Sequence, residues 1–196
     1  MIGKSFTVEQ VDRLGNTIIY LSERIAPLSK TKLLKLIYLI EEVSIKKTGI
    51  PFFNIPFEVW KLGPVAREVF IELDSVQLYL NGYFKVIHKD DKTFVKSIKG
   101  FDDNEFSDND IEILDWIINK FKNFSANQLI DLTHSPNSIW TKYATKYNLI
   151  EAFESGRKNS SNIEMDMSDL LQEDSLKRML YNDYIEYFEA SRSLNS

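Results

Sequence analysis

The sequence predicts a mainly α-helical protein, a single globular domain of about six to eight helices carrying a small β-hairpin insert. Three observations carry that expectation. Apolar residues recur at three- and four-residue spacing through most of the chain. Helix-capping residues stand just ahead of those runs. The only short, β-branched runs flank a polar turn near residues 84–98. A chain of 196 residues, 43% of them hydrophobic, has the material for one well-filled core. Its expected organisation is a helical body over 1–154, a short polar linker over 155–162, and a C-terminal helical extension over 163–196 packed on that body.

Thr7 opens a Thr-Val-Glu-Gln capping pattern, and Val8, Val11, Leu14, Ile18, Leu21 and Ile25 follow as one helical stripe up to Pro27. Ser29 caps a second helix, LLKLIYLIEEVSIKK, which ends at Thr48-Gly49 with lysines in its last turn. That helix is apolar on most sides, which places it at the centre. The segment IPFFNIPFEVW is broken by proline and reads as an extended connector. In FEVWKLGPVAREVF, Gly63 is expected to turn the chain and Pro64 to stand first in a third helix, with Val65, Val69, Leu73, Val76 and Leu80 as its buried stripe. FKVIH and TFVKSI, separated by KDDK, form the hairpin. Ser107 caps a helix bearing Ile111, Leu114, Ile118 and Phe121, and Ser125-Ala-Asn-Gln is a capping box for NQLIDLT. SGRKNSSN lacks periodicity, and the acidic, aromatic run beyond it forms one or two closing helices.

Composition removes whole classes of function. With no cysteine, the chain has no disulfide, thiolate metal site or cysteine nucleophile, and a reducing cytoplasm is the natural setting. The N-terminus lacks the apolar core of a signal peptide, and no run approaches the roughly 20 apolar residues of a membrane helix. There is no glycine-rich phosphate loop and no nucleophile elbow, and the two histidines, His88 and His134, are far apart. The expectation is therefore no catalytic residue, no metal and no cofactor. Residues 1–100 carry 15 basic against 11 acidic side chains and residues 101–196 carry 9 against 18, or +4 and −9. Such asymmetry bears on association rather than on fold.

His134, in LIDLTHSPNSIW, is the one candidate acid or base. That role needs a hydrogen-bonding partner and a pocket, and the simpler reading is structural, with the ring stacked on Trp140 or donating to a backbone carbonyl. Lys30, Lys32, Lys35, Lys46 and Lys47 raise a DNA-binding alternative. The low pI of about 5.2 argues against it, and a fringe of lysines snorkelling off a buried helix explains them. The adjacent acids Glu41-Glu42, Asp90-Asp91 and Asp102-Asp103 read as solvated surface.

Three strings in order then carry a resemblance. Lys32, Leu33, Lys35, Leu36 and Tyr38 form a Lys-Leu-x-Lys-Leu-x-Tyr helix. Trp60 precedes Gly63, Pro64 and Val65, and Leu132, Thr133 and His134 precede Trp140. Together they resemble the SocA-like Panacea domain, the antitoxin domain of bacterial and phage toxin–antitoxin pairs, over about residues 29–140. The resemblance implies a mostly helical fold without enzymatic activity and, as partner, a cognate toxin protein encoded in the same operon, neutralised by direct contact. An interface of that kind needs aromatic or arginine anchors. Trp60, Lys61, Arg67 and Trp140 are the candidates from the motifs, and Tyr181, Tyr184, Tyr187 and Phe188 are those from the tail.

Overall fold

One long apolar helix forms the axis of the molecule. The computed structural model describes residues 6–74 and 77–194. In chain order the elements are α1 (Val8–Arg24), β1 (Leu28–Ser29), α2 (Lys30–Thr48), β2 (Glu58–Trp60), β3 (Gly63–Val65), α3 (Arg67–Glu72), β4 (Phe84–Lys89) and β5 (Lys92–Ser97). There follow α4 (Asp108–Phe121), α5 (Ala126–Thr133), α6 (Ile139–Lys146), α7 (Ile150–Glu154), a 3-10 turn (Met167–Leu171) and α8 (Ser175–Leu194). The class is the mainly α one expected, with small antiparallel hairpins. No helix among the described residues is long and apolar enough to cross a membrane.

The capping chemistry read from the sequence sets the helix starts. The Thr7 hydroxyl accepts the Gln10 N–H while the Gln10 side chain accepts the Thr7 N–H, and Ser107/Asp110 and Ser125/Gln128 repeat that reciprocal arrangement. Ser29 caps α2, and Gly49 closes it at φ 81, the left-handed conformation that costs glycine nothing. Leu33, Leu36, Ile37 and Ile40 of α2 are fully buried, and α4, α5, α8, β1, β3 and β5 all contact this helix. Leu14, Ile18 and Leu21 of α1 join the same core. Val8, expected on that stripe, is exposed, because it lies ahead of the first buried position of α1, Gln10.

Strands β4 and β5 pair as expected around Asp90 and Asp91, both at positive φ, and β1 adds a third strand on the far side of β5. The larger correction concerns Gly63-Pro64-Val65, which is a strand and not the start of a helix. β3 pairs antiparallel with β2 in the register Trp60↔Gly63, Val59↔Pro64, Glu58↔Val65, joined through Lys61 and Leu62. Gly63, at φ 98, supplies the left-handed step of this tight connection. Pro64 stands opposite Val59, at the position where a residue's own N–H points away from the partner strand, so its missing donor costs the ladder nothing. Val59 correspondingly sends its N–H outward, to the Ile163 carbonyl at 3.0 Å. Lys61 N–H to Asn159 O and Met165 N–H to Phe57 O continue this second edge, so the chain after residue 158 runs beside β2.

Helix α3 begins only at Arg67 and stops at Glu72. The buried Glu72 carboxylate takes the N–H groups of Leu78, Tyr79 and Leu80 at 3.0, 3.0 and 2.9 Å, which turns the chain back. Val69, Leu73 and Leu80 of the expected stripe are buried, whereas Val76 lies outside the described residues. The short α6 and α7 follow α5, and α8 lies over α2 without one fully buried residue.

Candidate functional site

The three sequence motifs meet at one place, the inner side of the β2–β3 hairpin. Lys35, on α2, is 1% exposed, and its Nζ donates to the Pro64 carbonyl at 2.6 Å. The outward register that spares Pro64 a ladder donor also turns its carbonyl away from β2 and toward this amine. Trp140, at the start of α6, donates its indole N–H to the Trp60 carbonyl at 2.9 Å. One hairpin is thus held at both its strands, by α2 and by α6. Gly63 packs so closely into the cluster that an added Cβ would lie 2.6 Å from the Thr133 hydroxyl and 3.0 Å from Lys35 Nζ. Thr133, at the end of α5, is buried and donates to the Ile130 carbonyl. Of the other motif residues, Leu33 and Leu36 fill the core, Tyr38 meets Phe57 edge-on, and Leu132 is exposed.

His134 stacks face to face on Trp140, with ring centroids 3.7 Å apart and planes 13° apart. Its Nε2 is buried without a hydrogen-bond partner. Burial, and secondarily the nearby Lys35, hold the imidazole down at about 4, so it is neutral at pH 7. Desolvation likewise lowers the Lys35 amine to about 7. The geometry matches the structural reading of His134, with no carboxylate hydrogen-bonded to its ring among the described residues. No group of three His, Asp or Glu side chains among them stands close enough to hold a metal ion.

Outside this support, the same hairpin borders a groove of about 420 Å³. Leu34, Val65 and Phe70 supply apolar lining, Trp60 and Leu62 come from the hairpin, and Lys30, Lys35 and Lys61 also reach it. The Trp60 ring meets Phe70 edge-on at 4.9 Å and donates its indole N–H to Glu58 at 2.8 Å. The Lys30 ammonium lies 3.6 Å from the centre of the Phe70 ring. Trp60 and Lys61 are half-buried, and Leu62, at the hairpin tip, is 51% exposed.

The other expected residues are dispersed. Trp140 is only 5% exposed, so it braces the hairpin from within and offers no surface to a partner. Arg67 is exposed but does not line the groove. Tyr184 and Phe188 line a separate cavity with Arg13 and Phe53, Tyr181 lines another beside it, and Tyr187 is exposed on the outer face of α8.

Two surface assignments are overturned. Lys32 and Lys35 do not snorkel to water; both are buried and end on backbone carbonyls, Lys122 O at 2.7 Å and Pro64 O. Glu41 is buried too, accepting the N–H groups of Phe53 and Asn54, and desolvation raises its carboxyl to about 7. Each lies on an otherwise apolar face of α2, which was the one signal in the sequence that could have revealed it. Phe70 and Leu62, both part of the groove, were not singled out by periodicity because neither belongs to a helical stripe.

A family model described as antitoxin SocA-like, Panacea domain, matches residues 33–141, more than half of the chain. No curated protein and no solved structure matches it.

Proposed function

Since the chain belongs to the antitoxin SocA-like, Panacea domain family, we propose that it is an antitoxin that neutralises a protein toxin by direct contact. The partner is the product of a gene in the same bacterial or phage operon, and the encounter takes place in the cytoplasm. One observation carries this reading. Two polar groups from separate family motifs end on the backbone of a single hairpin, Lys35 on Pro64 O and Trp140 on Trp60 O. Their chemistry is thereby used in holding a surface element in place, which is what a binding scaffold requires and what a catalytic centre does not. His134 adds to the same picture, since a neutral, stacked imidazole braces Trp140. The DNA-binding alternative loses two of its lysines to the interior.

Co-expression with the adjacent gene's product is the test. That product alone should arrest growth, and growth should return when this chain is made alongside it. A harmless neighbour, or an arrest that persists with the chain present, refutes the proposal.

A further inference from the structure

We propose that the groove between the β2–β3 hairpin and the start of α2 is the toxin-binding surface, and that it receives an apolar or aromatic side chain with a carboxylate beside it. This rests on the antitoxin reading and names its contact.

Charge and shape select this occupant. The charged residues lining the groove are all lysines although the chain as a whole carries −5; Lys30 is paired with Asp74 at 3.0 Å and Lys35 donates to the Pro64 carbonyl, which leaves the half-buried Lys61 to meet an incoming carboxylate. Its volume of about 420 Å³ lies within the roughly 300–1,000 Å³ typical of sites that enclose a ligand group. A partner segment with an apolar centre and a neighbouring carboxylate meets both conditions, the apolar group against Leu34, Val65 and Phe70 and the carboxylate toward Lys61.

The hairpin tip supplies a second observation. In the other hairpin Asp90 and Asp91 themselves take the positive φ, whereas here Gly63 takes it and leaves the two tip positions open to most residues. Here the connection is Lys61-Leu62, and Leu62 is 51% exposed beside the half-buried Trp60. Leu62 extends the apolar lining of the groove out to the exposed tip of the hairpin. Around it stand the residue types that dominate binding energy at interfaces, a tryptophan held by Glu58 and stacked edgewise on Phe70. The cavity beside the exposed Trp116 lacks this uniform charge, since Glu112 and Asp115 line it together with Lys46 and Lys47.

The test measures binding of the purified chain to a catalytically inactive variant of the adjacent gene's product, by calorimetry. Leu62→Asp and Lys61→Glu should each raise Kd at least tenfold, and Trp116→Ser should leave it unchanged. Both groove substitutions lie on exposed or half-exposed side chains, and a melting temperature within a few degrees of the parent confirms folding; should Leu62→Asp fail that check, Lys61→Glu decides alone. If the parent binds and neutralises but the groove variants bind equally well, the antitoxin reading stands and the groove proposal is overturned. If the parent itself does not bind, the antitoxin reading falls and the groove proposal with it. Retardation of duplex DNA by the parent, abolished by Lys61→Glu, assigns the groove to nucleic acid and equally overturns it.

Discussion

Replacing Lys35 by methionine changes the pH dependence of stability in a way that a surface lysine would not. The amine is 1% exposed, and burial lowers it from 10.5 to about 7. Between those values the unfolded chain holds a proton that the folded chain has released, so folded stability rises with pH across the window. The slope is about 1.4 kcal/mol per pH unit, and the whole window is worth about 5 kcal/mol. Below pH 7 both states are protonated, and the full cost of a buried ammonium is present. Methionine matches the aliphatic stem and does not titrate, but it leaves the Pro64 carbonyl without its donor, a loss of about 1–3 kcal/mol. The two curves should therefore cross: Lys35→Met is the more stable protein at pH 6 and the less stable at pH 10. Urea unfolding at successive pH values between 6 and 10 reads this directly. Parallel curves would show that Lys35 keeps its proton in the folded protein, and the account of a buried amine that releases its proton above about pH 7 would be wrong.

Two further substitutions probe the support. Gly63→Ala places a Cβ 2.6 Å from the Thr133 hydroxyl at a residue whose φ is 98, so it should lower stability by more than ~2 kcal/mol in urea unfolding; a loss below ~0.5 kcal/mol contradicts the close packing. Trp140→Phe retains an aromatic face for His134 but removes the donor to the Trp60 carbonyl. It should cost about 1–3 kcal/mol and lower the melting temperature by several degrees, whereas an unchanged melting temperature would mean that the indole N–H does not hold the hairpin.

Helix boundaries were legible because local chemistry sets them. Thr7, Ser29, Ser107 and Ser125 cap helices through their own side chains, and Gly49 ends one through its own backbone freedom. The stacking of His134 on Trp140 was foreseen for a similar reason, two aromatic rings close together in the chain. A proline at a strand position that needs no donor toward its neighbour is indistinguishable, in sequence, from one that opens a helix, which is why Pro64 reads as a helix start. The difference lies in β2, and β2 in turn is held by residues around Ile163, about a hundred positions away. Charge alone places Lys35 and Glu41 at the surface, but the apolar face of α2 on which they stand buries them both. Their partners, Pro64 O and the N–H groups of Phe53 and Asn54, are backbone groups that a residue pattern does not display. The groove was hidden for the same reason, since Leu34, Leu62 and Phe70 come from a helix, a turn and a short helix.

The central claim is that the family motifs brace a hairpin whose outer side meets the toxin. Hydrogen exchange on the complex of this chain with the adjacent gene's product tests it most directly. The account predicts slowed exchange over Trp60–Phe70 and at the start of α2, with the face carrying Trp116 unchanged. Protection confined to α8 or to the Trp116 face, with the hairpin exchanging as in the free chain, would contradict it.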